Sequence, residues 1–138
     1  MGLVMIKVVL SNFHDVQAER QGAKSKDQVR SVELEALADT GAINLAIPAD
    51  VAVTLGVPVI RRSRVRVADG RSIDVEVVWP LHVELMGREV TAEAIVLPAG
   101  ARPLLGAVQL EMMDLVVVPK SGEVIPNPEN PDGPVLRL

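Results

Sequence analysis

The stretch from Ala36 to Pro48, ALADTGAINLAIP, holds a single acid in an otherwise almost apolar run. A lone carboxylate is costly to bury unless it is paired, hydrogen-bonded or protonated. Asp39 is therefore either a turn residue at the surface or a residue kept for chemistry. Gly41 allows a tight loop, and Asp39 and Thr40 can bond to nearby backbone amides, which is the turn reading. Other centres of chemistry have less to offer. His14 and His82 lie far apart, without metal-ligand spacing, and read as surface residues. Ser11, Ser25, Ser31, Ser63, Ser72 and Ser121 stand in no Gly-x-Ser-x-Gly arrangement, and glycine-rich phosphate loops are absent.

What must hold Asp39 in place is a chain rich in Val, Leu, Ile and Ala. Hydrophobic residues make up 49% of the 138 positions, with Phe13 and Trp79 the only aromatics, a globular and not a disordered composition. The length fits one domain, which buries roughly two-thirds of its unfolded surface. We place that domain at 1–125 and a Pro-rich, extended tail at 126–138. The formal net charge of −4 argues against a nucleic-acid surface, which needs clustered and uncompensated Lys and Arg. Stacking platforms for single strands are scarce as well. Without cysteine there is no disulfide and no thiolate metal site, which suits a reducing compartment. The N-terminal MGLVMIKVVL is short and interrupted by Lys7, so it reads as a strand and not a signal sequence. Position 6 is Ile6 and not the hydroxyl residue of a myristoylation signal. No apolar run approaches the roughly 20 residues of a membrane helix. The expectation is a soluble, cytoplasmic protein with no membrane partner, no metal and no cofactor.

Short β-branched runs separated by Gly, Pro and Asp turns point to an all-β domain. Strands are expected near 4–10, 29–38, 42–47, 59–67, 71–78, 81–86, 89–97 and 115–118, with another near 123–126 after a Lys120-Ser121-Gly122 turn. Residues 21–28 read as a polar loop. In strand 29–38, Val32, Leu34, Ala36 and Ala38 face inward and Glu33 and Glu35 outward. Two segments read as helix. The first is PADVAVTLG, with Pro48 and Asp50 at its start and Gly56 and Pro58 as its stop. The second is residues 106–114, where Met112 and Met113 read as core filler. The last four residues could add a strand.

Hairpin registers follow from keeping apolar side chains on one face. Around Asp69-Gly70, a two-residue loop would set Val65 against Asp74. A three-residue loop, Ala68-Asp69-Gly70, instead pairs Val65 with Ile73, Arg64 with Asp74 and Arg62 with Glu76. It also puts Gly70 where a left-handed residue is needed. The arginines at 61, 62, 64 and 66 then read as a solvated, cross-strand-paired face. The next hairpin turns at Gly87-Arg88, pairing Leu85 with Val90 and Val83 with Ala92 and setting His82 against Glu93.

The order of these pieces carries a likeness. An apolar strand ends in Asp39-Thr40-Gly41-Ala42, and another apolar strand and a short helix follow. A glycine-tipped hairpin comes next and, much later, Leu104-Leu105-Gly106 opens a second helix. From about Val32 to Val118 the chain resembles the retropepsin-like aspartic proteases, the single-domain group that includes retroviral proteases and bacterial relatives. The resemblance implies a small closed β-barrel of the retropepsin-like acid protease type with one or two short helices. Family members often carry Arg-Asn or Arg-Asp after that glycine, whereas Ala107-Val108 follow here.

The resemblance also implies a mechanism. Asp39 is the catalytic acid, and because the chain has one such triplet, a homodimer must supply the second carboxylate. Thr40, Gly41 and Ala42 support the active-site loop, with the Thr40 hydroxyl bonding the neighbouring chain's loop backbone. Ala68, Asp69 and Gly70 form the tip of a flap that folds over an extended peptide or protein substrate. Leu104, Leu105 and Gly106 lie beneath the active-site loop, and Val65, Ile73, Leu45 and Ile47 are the expected apolar walls. The expected activity is that of an aspartic endopeptidase. The alternative is a protease-like fold used without catalysis, as a dimerising or peptide-binding module. A third class is a monomeric β-barrel interaction domain.

Overall fold

Alternating apolar and polar residues suit a strand with one buried face, and helices form where that period lengthens. The computed structural model describes residues 3–138 and is mostly β with few helices. In chain order its elements are β1 (Met5–Asn12), α1 (Phe13–Arg20), a 3-10 turn (Lys26–Gln28), β2 (Ser31–Ala38), β3 (Leu45–Pro48) and α2 (Ala49–Leu55). There follow β4 (Val59–Arg66), β5 (Ser72–Leu85), β6 (Arg88–Leu97), β7 (Leu104–Leu105), α3 (Ala107–Met112), β8 (Leu115–Val118) and β9 (Glu123–Pro126). No helix among the described residues is long and apolar enough to cross a membrane.

Strand pairing runs β1-β2-β7-β3-β6-β5 and returns to β1, with β4 attached outside that ring on β5. Inside it, Val8, Leu10, Ile47, Leu55, Leu81 and Leu105 are fully buried. In β2 the alternation holds as expected, with Ala36 and Ala38 buried and Glu33 and Glu35 at the less buried positions. β3 is buried along its whole length, because β7 pairs on one side of it and β6 on the other. The strand expected at 42–47 therefore begins only at Leu45.

The first hairpin has the expected register, with Val65 opposite Ile73, Arg64 opposite Asp74 and Arg62 opposite Glu76. Two ion pairs cross this face, Arg62–Glu76 and Arg64–Asp74, while Arg61 pairs with Glu93 of β6. The strands expected at 71–78 and 81–86 are one continuous strand. Pro80 has no N–H to offer a ladder, and the β5–β6 register shifts between Val78 and Leu81, so strand direction survives the proline.

The second hairpin differs from expectation. Its loop is Met86-Gly87, both at positive φ (53° and 74°), and Leu85 pairs with Arg88, Val83 with Val90 and His82 with Thr91. Two consecutive positive φ values match the right-handed strand twist, and this outweighs the reluctance of Met86 to adopt one. The shift of two positions keeps every side chain on its expected face.

Helix α1 has no counterpart in the sequence reading. Asn12 ends β1 and caps the helix, its Oδ1 accepting the Asp15 N–H at 3.0 Å while its Nδ2 donates to the Leu55 carbonyl at 3.0 Å. Asp15, 2% exposed, accepts from Lys24 Nζ at 2.6 Å, from Arg30 Nε at 2.8 Å and from the Arg30 N–H at 3.0 Å. Those bonds anchor the 21–30 segment. The Arg30 guanidinium, helped by Lys24 and opposed by burial, holds the Asp15 carboxyl well below the usual carboxylate range.

At the other end, β8 and β9 form a separate two-stranded sheet. The segment after Pro126 forms no strand; it is tied down by side chains. Asp114 accepts from Asn127 Nδ2 at 3.0 Å, from Asn130 Nδ2 at 2.7 Å and from the Val135 N–H at 3.1 Å. Buried Arg88 donates to the carbonyls of Met113, Asp114 and Asn130 at 3.0, 2.8 and 2.6 Å. Met113 fills the core as expected, whereas Met112 is 42% exposed.

Asp15→Asn should destabilise the fold by about 3 kcal/mol at neutral pH, since it removes one partner of a buried, doubly paired charge. The depressed folded-state carboxyl makes this contribution full above the ordinary carboxylate pKa of about 3.9 and lets it drain away as pH falls below that. Urea unfolding of both proteins at a series of pH values should show the gap narrowing below about pH 4. A gap that stays constant down the acid range contradicts this account.

Candidate active site

β2 runs into the Asp39 loop, and β7 lies beside it. Leu37 and Ala38 pair in parallel with Leu104 and Leu105, and Leu104 also pairs with Ala46 of β3. The Leu37 N–H donates to the Pro103 carbonyl at 2.9 Å, the Ala38 N–H to Val4 at 2.8 Å and the Asp39 N–H to Leu105 at 3.0 Å. Asp39 therefore sits on a backbone held from two sides.

The loop is further closed on itself and on α3. Asp39 Oδ1 accepts the Gly41 N–H at 2.9 Å, and the Asp39 carbonyl accepts the Ala42 N–H at 3.1 Å. Ala107 and Val108, the first residues of α3, donate their N–H groups to the Ala42 and Ile43 carbonyls at 2.8 and 3.2 Å. Gly106 lies against this loop so closely that a Cβ there would meet the Ile43 carbonyl oxygen at 2.5 Å and the Asn44 carbonyl oxygen at 2.7 Å. Leu104-Leu105-Gly106 thus underlies the Asp39 loop.

Oδ2 of Asp39 takes no hydrogen bond from the described residues, and the carboxylate joins no ion pair among them. Asp39 is half-buried, while Thr40 and Gly41 are exposed and Ile43 is 70% exposed. A well-braced loop thus presents one free carboxylate oxygen, a hydroxyl and a bare apolar side chain outward.

The hairpin tip is built as expected. Val67 donates to the Arg71 carbonyl and Gly70 to the Val67 carbonyl, each at 2.9 Å, with Gly70 at φ 89°. Asp69 accepts from the Arg71 N–H at 2.9 Å and from Arg71 Nε at 2.6 Å. Ala68, Asp69 and Gly70 are exposed, and no hydrogen bond among the described residues links this tip to the Asp39 loop. Of the four expected apolar walls, Leu45 and Ile47 are core residues at 1% and 0% exposure. Val65 and Ile73 remain half-buried on the hairpin.

His82 is not a surface residue. It is 5% exposed beneath α1, with Nε2 3.2 Å from Glu89 Oε2, and Glu89 also accepts from Arg20. The missed helix is the reason, since α1 packs over this part of β5. Gln109 escaped the sequence reading too: it is 4% exposed, and its Oε1 has no partner. No group of His, Asp or Glu among the described residues is arranged to hold a metal ion. No protein-family model matches this chain, and no curated protein matches it.

Gly106→Ala should destabilise the protein by about 2 kcal/mol or more, because the neighbours it meets are backbone atoms that cannot rotate away. Gly133→Ala, where a Cβ meets nothing within 4 Å, should stay within about 0.5 kcal/mol of the parent. Thermal unfolding of the two variants checks the contrast, and equal midpoints would show that the loop is not packed as described.

Proposed function

We propose that the chain is a retropepsin-like aspartic endopeptidase that acts as a two-fold homodimer, its ring of strands forming the small closed β-barrel of that fold. The observation that carries the reading is the brace beneath the acid. The Asp39 N–H rests on the Leu105 carbonyl, and Gly106 packs against Ile43 with no room for a side chain. A turn kept only for chain reversal has no need of a second segment locked under it. The free Oδ2 and the exposed Thr40 beside it suit a loop that meets a second copy.

In the dimer, Asp39 and the partner's Asp39 face each other across the axis. Two carboxyls about 3 Å apart cannot both ionise, so they hold one proton between them and titrate as a unit. A water held between them loses a proton to the ionised carboxyl and attacks the scissile carbonyl carbon. The protonated carboxyl donates to the carbonyl oxygen, and the roles reverse as the amine leaves. Thr40 braces the partner's loop. The Ala68 and Asp69 amides, which donate to no described residue, bond the backbone of an extended peptide as an added strand does.

A second reading, a dimerising or peptide-binding module without catalysis, draws on Ala107-Val108, which put apolar side chains where relatives often carry a polar pair. Asp39→Asn separates the two. The variant should lose cleavage of a peptide library by a factor of about 10³ or more while keeping its dimerisation and peptide affinity. Wild-type cleavage should peak in mildly acid buffer and fail as both carboxyls ionise. Undiminished cleavage by Asp39→Asn would remove Asp39 from the chemistry, and a wild type that binds peptides without cutting any would favour the module.

A further inference from the structure

Among the described residues β4 pairs with β5 and with no other strand, so one of its two edges is bare. Backbone groups in an antiparallel strand point alternately toward the partner and away from it. At the hairpin tip the Val67 N–H donates to the Arg71 carbonyl, so Val67 faces across the hairpin. Counting back by twos along an unbroken register, Val65 and Ser63 also face β5. The N–H and C=O of Arg66, Arg64 and Arg62 then point out from the bare edge. Each residue that offers its backbone to a neighbour there is an arginine.

The side chains carry the same bias. Two-residue spacing puts Arg62, Arg64 and Arg66 on one face of the strand, and all three are exposed. Arg64 Nε meets Asp74 at 3.2 Å and Arg62 Nη2 meets Glu76 at 3.5 Å, one bond from each five-donor group. Opposite Arg66 stands Ser72 and not an acid, and Arg66 reaches only the Gly70 carbonyl, at 3.5 Å. This face thus sets three arginines against two carboxylates, in a chain whose formal net charge is −4. Two copies of the edge would place arginine against arginine and repel. An acid at the facing position is attracted instead, and exposed ion pairs of this kind exchange partners at little cost.

We propose that the bare edge of β4 binds an extended acidic segment of another protein as an added strand. Its main chain bonds the N–H and C=O groups of Arg62, Arg64 and Arg66, and Asp or Glu at every second position faces the three guanidinium groups. This surface uses neither Asp39 nor the Ala68 and Asp69 amides, and the proposal stands whether or not the chain is a protease.

Titration of the intact ¹⁵N-labelled protein with the blocked peptide Thr-Glu-Val-Glu-Val-Glu-Thr tests it. The peptide should shift the amides of Arg62, Arg64 and Arg66 saturably. Its Gln analogue should bind about tenfold more weakly, the worth of three exposed ion pairs. The same acidic peptide N-methylated at its three Glu residues keeps the charge but cannot pair as a strand, and should give no saturable shift. Arg66→Glu, which breaks no ion pair, should melt with wild type yet bind the acidic peptide about tenfold more weakly. Asp39→Asn should bind it as wild type does, which keeps this result apart from the fate of the protease reading. No saturable shift, equal affinity for the N-methylated peptide, or undiminished binding by Arg66→Glu would each overturn the proposal. So would loss of binding in Asp39→Asn, or tighter binding of a single-stranded oligothymidylate, which would mark the arginines as a phosphate surface.

Discussion

The structure depends on a contact between two stretches of backbone. The chain segment at Leu104–Gly106 is inserted between β2 and β3, and it takes the Asp39 amide on the Leu105 carbonyl. Gly106 then brings α3 close enough for its first two amides to bond the carbonyls of Ala42 and Ile43. None of this involves a flexible side chain. The position of the Asp39 carboxylate is therefore set by the sheet itself.

The rest of the fold serves that contact. The ring of strands closes through β1 and β5, so β2 and β3 cannot splay apart around the inserted β7. Around this core the polar anchors work at the margins. Asp15 fixes the 21–30 segment under α1, while Arg88 and Asp114 fasten the chain after β9. Both anchors gather several donors or acceptors on one buried or half-buried ion, which is how a charge is kept inside at tolerable cost. The β4–β5 hairpin differs in kind: its charged pairs are exposed, and no hydrogen bond among the described residues ties its tip to another loop.

Local patterns were the legible part of the sequence. Period-two alternation located β2, and the demand that Val65 and Ile73 share a face settled a three-residue loop over a two-residue one. Asp39-Thr40-Gly41 and Leu104-Leu105-Gly106, far apart in the chain, meet in the structure. Features whose signal is weak or long-range were not legible. Helix α1 is polar with little apolar periodicity, and its cap, Asn12, is still part of a strand. The strands expected at 71–78 and 81–86 are one strand because β5 takes up an extra residue against β6 between Val78 and Leu81. The turn expected at Gly87-Arg88 lies at Met86-Gly87, where Met86 takes a positive φ that is rare for such a residue. His82, expected at the surface, is buried on β5, against which α1 packs.

The central claim is that one chemical site needs an acid from each of two chains, and subunit mixing addresses it most directly. Wild type and Asp39→Asn are combined in varying proportion at fixed total protein, allowed to exchange subunits, and assayed for peptide cleavage. If both carboxyls are required, cleavage falls as the square of the wild-type fraction, because only dimers with two intact acids act. A fall in simple proportion to that fraction would mean that each chain works alone, and the shared-proton account would be wrong.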